Sequence, residues 1–277
     1  MHDLVALCEL AEDLARQAAA VLLDGLGRLR TEVTQKTSPT DVVTDMDRAS
    51  EKLIVEGLAR HRPDDAVLAE EGGGTEGTSG VRWVIDPLDG TTNYVYGLPA
   101  FGVSIAAEVD GLTAVGVVAD PSHGEVFSAV AGRGACRNGE PIEVSGATDL
   151  ATALVATGFS YRTERRSEQA RLLTRVLPRV RDLRRFGAAS VDLCWVACGR
   201  FDAYYEAGLQ PWDLAAGALI AAEAGAAVEG IEGAVPESGS VMAVSPALAE
   251  PLRRLLEEGE AGASGAARSS PSPPTTG

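Results

Sequence analysis

Cysteine and histidine are scarce in this 277-residue sequence. The four cysteines match no disulfide framework, so a reducing cytoplasm is the expected compartment. Cys194 and Cys198 are spaced i, i+4 on an apolar stretch, which favours a place in the core over a metal site. The three histidines, His2, His61 and His123, do not stand at ligand spacing, and no Cys-x-x-Cys motif is present. A zinc site is therefore not expected.

Positive charge and long apolar runs are also lacking. The 24 basic and 40 acidic residues give a formal net charge of −16, which argues against a general basic face for nucleic acid. No run of about 18 uncharged apolar residues occurs, so we expect no membrane span. Met1-His2-Asp3 does not resemble the start of a signal peptide. An acidic protein that handles anionic substrates needs local positive charge, from arginines or from bound metal ions.

The pattern of apolar residues predicts one mixed domain over residues 1–258 and a disordered tail over 259–277. Within the domain we distinguish an α+β half, about 1–147, and an α/β half, about 148–258. Helices are predicted over 3–30 (ending near Gly25 and Gly27), 47–60, 164–177, 188–197, 214–224 and 247–258. Strands are predicted over 66–69, 81–85, 102–109, 113–119, 125–130, 153–157, 202–205 and 241–244. This mixture favours alternating helix and sheet layers over a doubly wound parallel sheet.

The stretch from Trp83 to Asn93 carries most of the chemical information. A hydrophobic strand ends in Asp86, and Asp89 follows three residues later, just before Gly-Thr-Thr. Pro87 is expected to stop the strand pairing and stiffen the turn. If a helix begins after Asp89, its free amides form an anion site beside the two acids. Carboxylates beside an anion site make sense when divalent cations lie between them.

Three further acidic segments follow short strands or begin helices. They are Glu70-Glu71, Trp212-Asp213, and Thr44-Asp45-Met46-Asp47. Each has an ordinary alternative, since acids are common at helix starts and in solvated loops. Together they form an all-oxygen ligand set, which predicts magnesium, with manganese as a substitute.

Several segments resemble the signature motifs of the inositol monophosphatase family over about residues 5–256. They are Lys36-Thr37-Ser38-Pro39-Thr40-Asp41 with Asp47, Glu70-Glu71, Asp86-Pro87-Leu88-Asp89-Gly90-Thr91-Thr92-Asn93, Asp202-Ala203-Tyr204-Tyr205-Glu206, and Trp212-Asp213-Leu214-Ala215-Ala216-Gly217. The resemblance implies an α/β/α/β/α sandwich, a homodimer and magnesium-dependent, lithium-sensitive hydrolysis of a small phosphate monoester.

The same resemblance implies the metal ligands. Glu70, Asp86 and the carbonyl of Leu88 would hold the first magnesium ion, and Asp86, Asp89 and Asp213 the second. A third, weaker ion would be bound to Glu70 through water molecules.

The resemblance also implies residue roles in catalysis and phosphate binding. The amides of Gly90 and Thr91 would hold the phosphate, and Thr91, hydrogen-bonded to Asp47, would position the metal-activated water with assistance from Glu70. Lys36 matches a family lysine on a loop near the metals.

Inositol monophosphate is the leading substrate. Glu206 matches the acid that contacts inositol hydroxyls, and Ala189 belongs to a Gly-Ala-Ala turn that leaves room for a ring. Histidinol phosphate, fructose 1,6-bisphosphate and 3′-phosphoadenosine 5′-phosphate stay open as alternatives. Nine arginines lie between 162 and 185; most are interpreted as solvated, with Arg184 or Arg185 as candidates for contact with a second phosphate.

Two other classes of protein are less compatible with the sequence. A non-catalytic binding protein of the same fold would be expected to lose one of the ligands or Thr91, and none is lost. A calcium-binding module needs ligands at alternating positions of one loop, whereas these acids come from separate segments.

Overall fold

The computed structural model describes residues 2–26, 33–35, 42–231 and 239–266. The helices are α1 (Leu4–Gly25), α2 (Asp45–His61), α3 (Thr91–Tyr96), α4 (Thr163–Val176), α5 (Ala189–Ala197), α6 (Pro211–Glu223) and α7 (Ala249–Ala266). The strands are β1 (Val33–Gln35), β2 (Val42–Thr44), β3 (Ala66–Ala69), β4 (Val81–Asp89), β5 (Gly102–Val109), β6 (Leu112–Asp120), β7 (Glu125–Val130), β8 (Ala135–Arg137), β9 (Glu140–Ile142), β10 (Leu154–Thr157), β11 (Asp182–Arg184), β12 (Ala203–Ala207), β13 (Ala227–Glu229) and β14 (Ser240–Val244). Among these helices, none combines the length and apolar composition needed to cross a bilayer.

Two mixed sheets form two of the layers, and β1 pairs with β2 in a separate hairpin. The larger sheet has seven strands in the order β3-β4-β5-β6-β7-β8-β9, with only its β3–β4 pair parallel. The smaller has five strands in the order β11-β10-β12-β14-β13, and β10 is parallel to both neighbours. The predicted boundary between the halves, near residue 147, lies in the connection between the two sheets.

Three apolar clusters join the layers. α1 and α2 pack on one face of the larger sheet, α5 and α6 lie between the two sheets, and α4 and α7 cover the outer face of the smaller sheet. All residues of α5 are buried, including the polar Ser190 and Asp192, as expected for a helix that lies between two sheets. Along β12, Tyr204 faces the middle cluster and Tyr205 the outer one, which is the alternation of a strand buried on both faces. The predicted α/β/α/β/α sandwich is confirmed.

The observed elements differ from the prediction in several places. The short strands β1, β2, β8, β9, β11 and β13 were not predicted, because three residues are too few to show an alternating pattern. The last helix runs to Ala266, so 259–266, which was predicted to belong to the disordered tail, is helical; its alanines favour helix, whereas its glycines do not. Residues 267–277 lie outside the described residues.

Candidate active site

An irregular segment at the end of β4 positions two buried carboxylates. The predicted strand, over 81–85 with Asp86 at its end, instead continues through Pro87 to Asp89 with a shift of register between Asp86 and Asp89. Such a bulge accommodates Pro87, which has no amide to donate to the ladder. The amide of Leu88 donates to Asp86 Oδ1 at 3.0 Å. Both acids therefore lie at one end of the strand.

Two further acids join this pair from other elements. One carboxylate oxygen each of Asp86, Asp89 and Asp213 lie within 4.8 Å of one another. Asp213 is the third residue of α6, and its Oδ2 accepts from the amide of Gln210 at 2.6 Å. The Asp213 side chain thus takes part in the capping box of α6 and also faces the cluster. Glu70 follows β3, and its carboxyl group is within hydrogen-bonding range of Asp86.

The electrostatics of this cluster favour bound cations. Burial raises the pKa of Asp86 well above its ordinary value, and the neighbouring charges of Glu70, Asp89 and Asp213 raise it further. Burial, followed by the charge of Asp89, also raises the pKa of Asp213. Buried carboxylates that repel one another are stabilised by divalent ions between them. The all-oxygen donor set fits hard cations such as magnesium.

Asp89 is connected to the start of α5. Its Oδ2 accepts hydrogen bonds from the amide of Ser190 at 2.7 Å and from the hydroxyl of Ser190 at 2.6 Å. Burial raises the pKa of Asp89, and these donors oppose that shift. The contact fixes α5, which begins at Ala189, against the carboxylate cluster.

The predicted hydrogen bond between Thr91 and Asp47 is present. Thr91 Oγ1 lies 3.1 Å from Asp47 Oδ1 and 3.0 Å from the carbonyl oxygen of Leu88. Asp47 Oδ2 accepts from the amide of Thr44 at 2.8 Å and from its hydroxyl at 2.5 Å. Burial raises the pKa of Asp47 to about 6, although the hydrogen bonds from Thr44 act in the opposite direction.

Gly90 forms the turn between the carboxylates and α3. Its φ of +84° favours glycine, and a Cβ there would lie 2.9 Å from the carbonyl oxygen of Ala100 and 3.1 Å from Ala188 Cβ. No side chain among the described residues caps the start of α3. The first amides of α3, beginning at Thr91, therefore remain available as donors beside the acidic cluster.

The predicted substrate residues lie on the smaller sheet's side of the site. Glu206 Oε2 accepts from the hydroxyl of Tyr204 at 2.6 Å, and burial raises the pKa of Glu206 to about 7. Arg185 lies close enough to Glu206 and Asp89 for its charge to oppose the increase that burial causes in both pKa values. Arg184 instead pairs with Asp182 at 2.6 Å. Of the two candidate arginines, Arg185 is the one beside the site. Lys36 lies outside the described residues.

Some supporting residues were missed in the sequence. The Ser50 hydroxyl donates to the carbonyl oxygen of Pro87 at 2.7 Å, and its spacing of three residues from Asp47 on α2 was an available signal. Asn93 Nδ2 donates to the carbonyl oxygens of Ala100 and Phe186, each at 2.6 Å. Ser190 carried no local signal, because its partner Asp89 is distant in the sequence.

Comparisons with known proteins agree with this architecture. Residues 3–261 match the family model described as the inositol monophosphatase family. The chain is 45% identical to inositol-1-monophosphatase SuhB of Mycobacterium tuberculosis, over 91% of this chain and 93% of the relative. It is 42% identical to Nus factor SuhB of Pasteurella multocida, over 88% and 92%. The crystal structure of extragenic suppressor protein SuhB from Bartonella henselae is similar with a TM-score of 0.88 and 35% identity, covering 92% of this chain and 99% of that one.

Proposed function

The chain belongs to the inositol monophosphatase family and is a phosphatase, and from this premise we propose that it hydrolyses inositol monophosphate with bound magnesium ions. The observation that supports this most directly is the convergence of Asp86, Asp89 and Asp213 within 4.8 Å, with Glu70 beside Asp86. Four acids from three separate segments meet here, with Asp86 and Asp89 buried, and carboxylates this close together are stabilised by bound cations.

The proposed ligand sets share Asp86. Glu70, Asp86 and the carbonyl oxygen of Leu88 hold the first ion, and Asp86, Asp89 and Asp213 hold the second. A third, weaker ion is held by Glu70 through water molecules, and manganese can substitute for magnesium. When bound, the ions lower the pKa of a water molecule and stabilise negative charge on the phosphate and the leaving oxygen.

The chain's own residues bind the phosphate and handle the proton. The amides of Gly90 and Thr91 donate to phosphate oxygens, as free amides at a helix start do. The Thr91 hydroxyl donates a hydrogen bond to Asp47. The Thr91 oxygen can therefore accept a hydrogen bond from the attacking water. Asp47 then takes up the proton through Thr91, and its pKa of about 6 suits a base that works near neutral pH. Glu70 is proposed to assist in activating the water.

Residues of the second half of the chain select the substrate. The Glu206 carboxylate accepts from ring hydroxyls, and the small side chain of Ala189 leaves room for the ring. Lys36 is proposed to reach the site from its own loop. The relative from M. tuberculosis named inositol-1-monophosphatase, at 45% identity, supports this choice of substrate. Arg185, beside Glu206, keeps the doubly phosphorylated alternatives open, and Glu206 itself keeps histidinol phosphate open.

The homodimer and the lithium sensitivity expected from the family stay predictions. Light scattering measures the oligomeric state, and phosphate release in lithium chloride measures the lithium sensitivity. The P. multocida relative is named a Nus factor, a name that does not describe a phosphatase. The expectation that small phosphate esters, and not nucleic acids, are the partners of this chain therefore also stays a prediction.

The function is tested by phosphate release from four esters: inositol 1-phosphate, histidinol phosphate, fructose 1,6-bisphosphate and 3′-phosphoadenosine 5′-phosphate. Each is assayed with magnesium and with excess chelator, and the Asp89→Asn variant, purified in parallel, controls for contaminating phosphatases. We expect chelator-sensitive release with the highest kcat/KM for inositol 1-phosphate. A higher kcat/KM for another ester would make that ester the substrate and leave the family assignment unchanged. No release from any ester would overturn the proposal.

A further inference from the structure

The loop that carries Glu70 is bound to α2 by one buried side chain. Glu51 of α2 accepts a hydrogen bond from the amide of Glu71 at Oε2, 2.8 Å, and from the amide of Gly73 at Oε1, 2.9 Å. The residue Glu51 is only 7% exposed. Hydrogen bonds to an ionised acceptor are stronger than those between neutral groups. Both carboxylate oxygens of Glu51 thus bind backbone of the loop 70–73.

The other two amides of this loop bind the backbone of the larger sheet. The amide of Glu70 donates to the carbonyl oxygen of Ile85 at 3.2 Å, and that of Gly72 to the carbonyl oxygen of Ala69 at 3.4 Å. Alternate amides of the loop therefore bind the sheet and Glu51. Loss of the Glu51 acceptor would leave two amides without their partner, and the loop would have to move to satisfy them.

Gly73 is fitted closely to the Glu51 carboxylate. A Cβ at Gly73 would lie 2.8 Å from Glu51 Oε1 and 3.3 Å from a methyl carbon of Val55. The loop can approach the helix this closely because position 73 has no side chain. Any larger residue there would displace the carboxylate or the loop.

One face of α2 contacts two of the three segments that carry the clustered acids, namely the segment 86–91 and the loop 70–73. Asp47, Ser50 and Glu51, at i, i+3 and i+4, share this face. Asp47 accepts from Thr91, Ser50 donates to the carbonyl oxygen of Pro87, and Glu51 binds the loop 70–73. The relative positions of these segments are therefore set by a single rigid helix.

From these contacts we propose that Glu51 is a positioning residue for metal binding. It holds the loop 70–73 so that the Glu70 carboxylate stays beside Asp86, where the two acids share the first ion. This inference rests on the proposed function, because it requires that Glu70 be a metal ligand. Glu51 itself contacts neither the metal nor the substrate. Loss of such an outer partner lowers metal affinity by about 10–100-fold in metalloenzymes.

The test substitutes the acceptor while keeping its shape. In Glu51→Gln one amide of the loop loses its acceptor and faces an NH₂ group instead. We expect Mn²⁺ affinity, measured without substrate by electron paramagnetic resonance, to fall about 10–100-fold. The magnesium concentration for half-maximal activity should rise by the same factor, while kcat at saturating magnesium recovers. Glu56→Gln, the same change at an exposed position of α2 paired with Lys52, should change neither quantity.

Gly73→Ala perturbs the same contact from the side of the loop, and this variant replaces Glu51→Gln in the test if Glu51→Gln does not fold. It should shift Mn²⁺ affinity in the same direction. Unchanged Mn²⁺ affinity in a folded variant, even with a lower melting temperature, would assign Glu51 a purely structural role and overturn the inference. Failure of the wild-type protein to bind Mn²⁺ would instead overturn the proposed function, and the inference with it.

Discussion

Asp89 combines two roles that a single substitution can separate. As a proposed ligand it contributes negative charge to the cluster, and as a hydrogen-bond acceptor it holds Ser190 at the start of α5. In Asp89→Asn the remaining carbonyl oxygen can still accept from Ser190, whereas the charge is lost. We expect kcat to fall more than about 100-fold, because loss of an outer-shell partner alone costs up to that much. The melting temperature in chelator should be unchanged or higher, since repulsion between buried acids is reduced.

The control for this variant is Asp182→Asn. Asp182 is about half exposed and pairs with Arg184 away from the cluster, so its loss should leave turnover unchanged. Near-normal magnesium-dependent phosphate release by Asp89→Asn would show that the metal assignment is wrong. A large drop in its melting temperature would show that the carboxylate is needed for folding.

At the residue level, residues that belong to a local motif could be identified from the sequence. Asp86, Asp89 and Thr91 lie in one short string, and the structure brings them together with Asp47, Glu70 and Asp213. Ser190 and Glu51 could not be predicted in the same way. Their partners lie 101 and 20 or more residues away in the chain, and a serine or a glutamate on an amphipathic helix has many ordinary explanations.

At the level of elements, the contact between β6 and α6 determines where Asp213 lies. Gly116 of β6 has so little space that a Cβ would be 2.7 Å from the carbonyl oxygen of Ala216 and 3.0 Å from its Cα. Because both neighbours are backbone atoms, they cannot rotate away. We expect Gly116→Ala to push α6 outward and to lower the free energy of unfolding by about 1–3 kcal/mol. Urea denaturation measures this, and the magnesium requirement should rise with it.

Gly146→Ala is the matched control for this variant. A Cβ at Gly146 meets no atom of the described residues within 4 Å, so the substitution should change neither stability nor magnesium requirement. Equal stability of Gly116→Ala and wild type would mean that the sheet and α6 can separate at no cost, and that the close contact does not position Asp213.

Longer elements were predicted from periodicity, and short ones were not. Helices such as α2 and strands such as β5 show enough turns or alternations to be recognised. The Asp-Gly pair at 110–111, a strong hairpin signal, lies between β5 and β6. The strands β8 and β13 have three residues each and are defined by their neighbours in the sheet. The bulge at Pro87 is likewise set by pairing with β5, which a proline signal alone does not reveal.

On the scale of the whole molecule, the layered fold buries several carboxyl groups, and ionising them inside the fold costs free energy. Asp86 and Asp213 lie in the carboxylate cluster, and burial raises the pKa of each. Burial also raises the pKa of Asp47 to about 6 and that of Glu206 to about 7. The layer order was predictable from the alternation of helices and strands. The raised pKa values were not predictable, because they depend on the depth at which each acid is buried.

The raised pKa values predict how pH and magnesium together affect the stability of the fold. Between about pH 4 and 7, the folded metal-free protein holds protons that the unfolded chain has released, since the pKa values of Asp47 and Glu206 are raised to about 6 and about 7. Its free energy of unfolding therefore falls as pH rises through this window, by an amount on the order of 3 kcal/mol for Asp47 alone.

Burial also raises the pKa values of the proposed magnesium ligands Asp86, Asp89 and Asp213. A metal ion that binds these carboxylates displaces their protons, so magnesium should stabilise the fold most at the upper end of the window. We expect the melting temperature in chelator to decrease from pH 5 to pH 7.5, and the decrease to become smaller or reverse with saturating magnesium. Sodium chloride at equal ionic strength is the control, because screening alone acts weakly on buried charges. Parallel pH profiles with and without magnesium would contradict the link between the buried acids and metal binding.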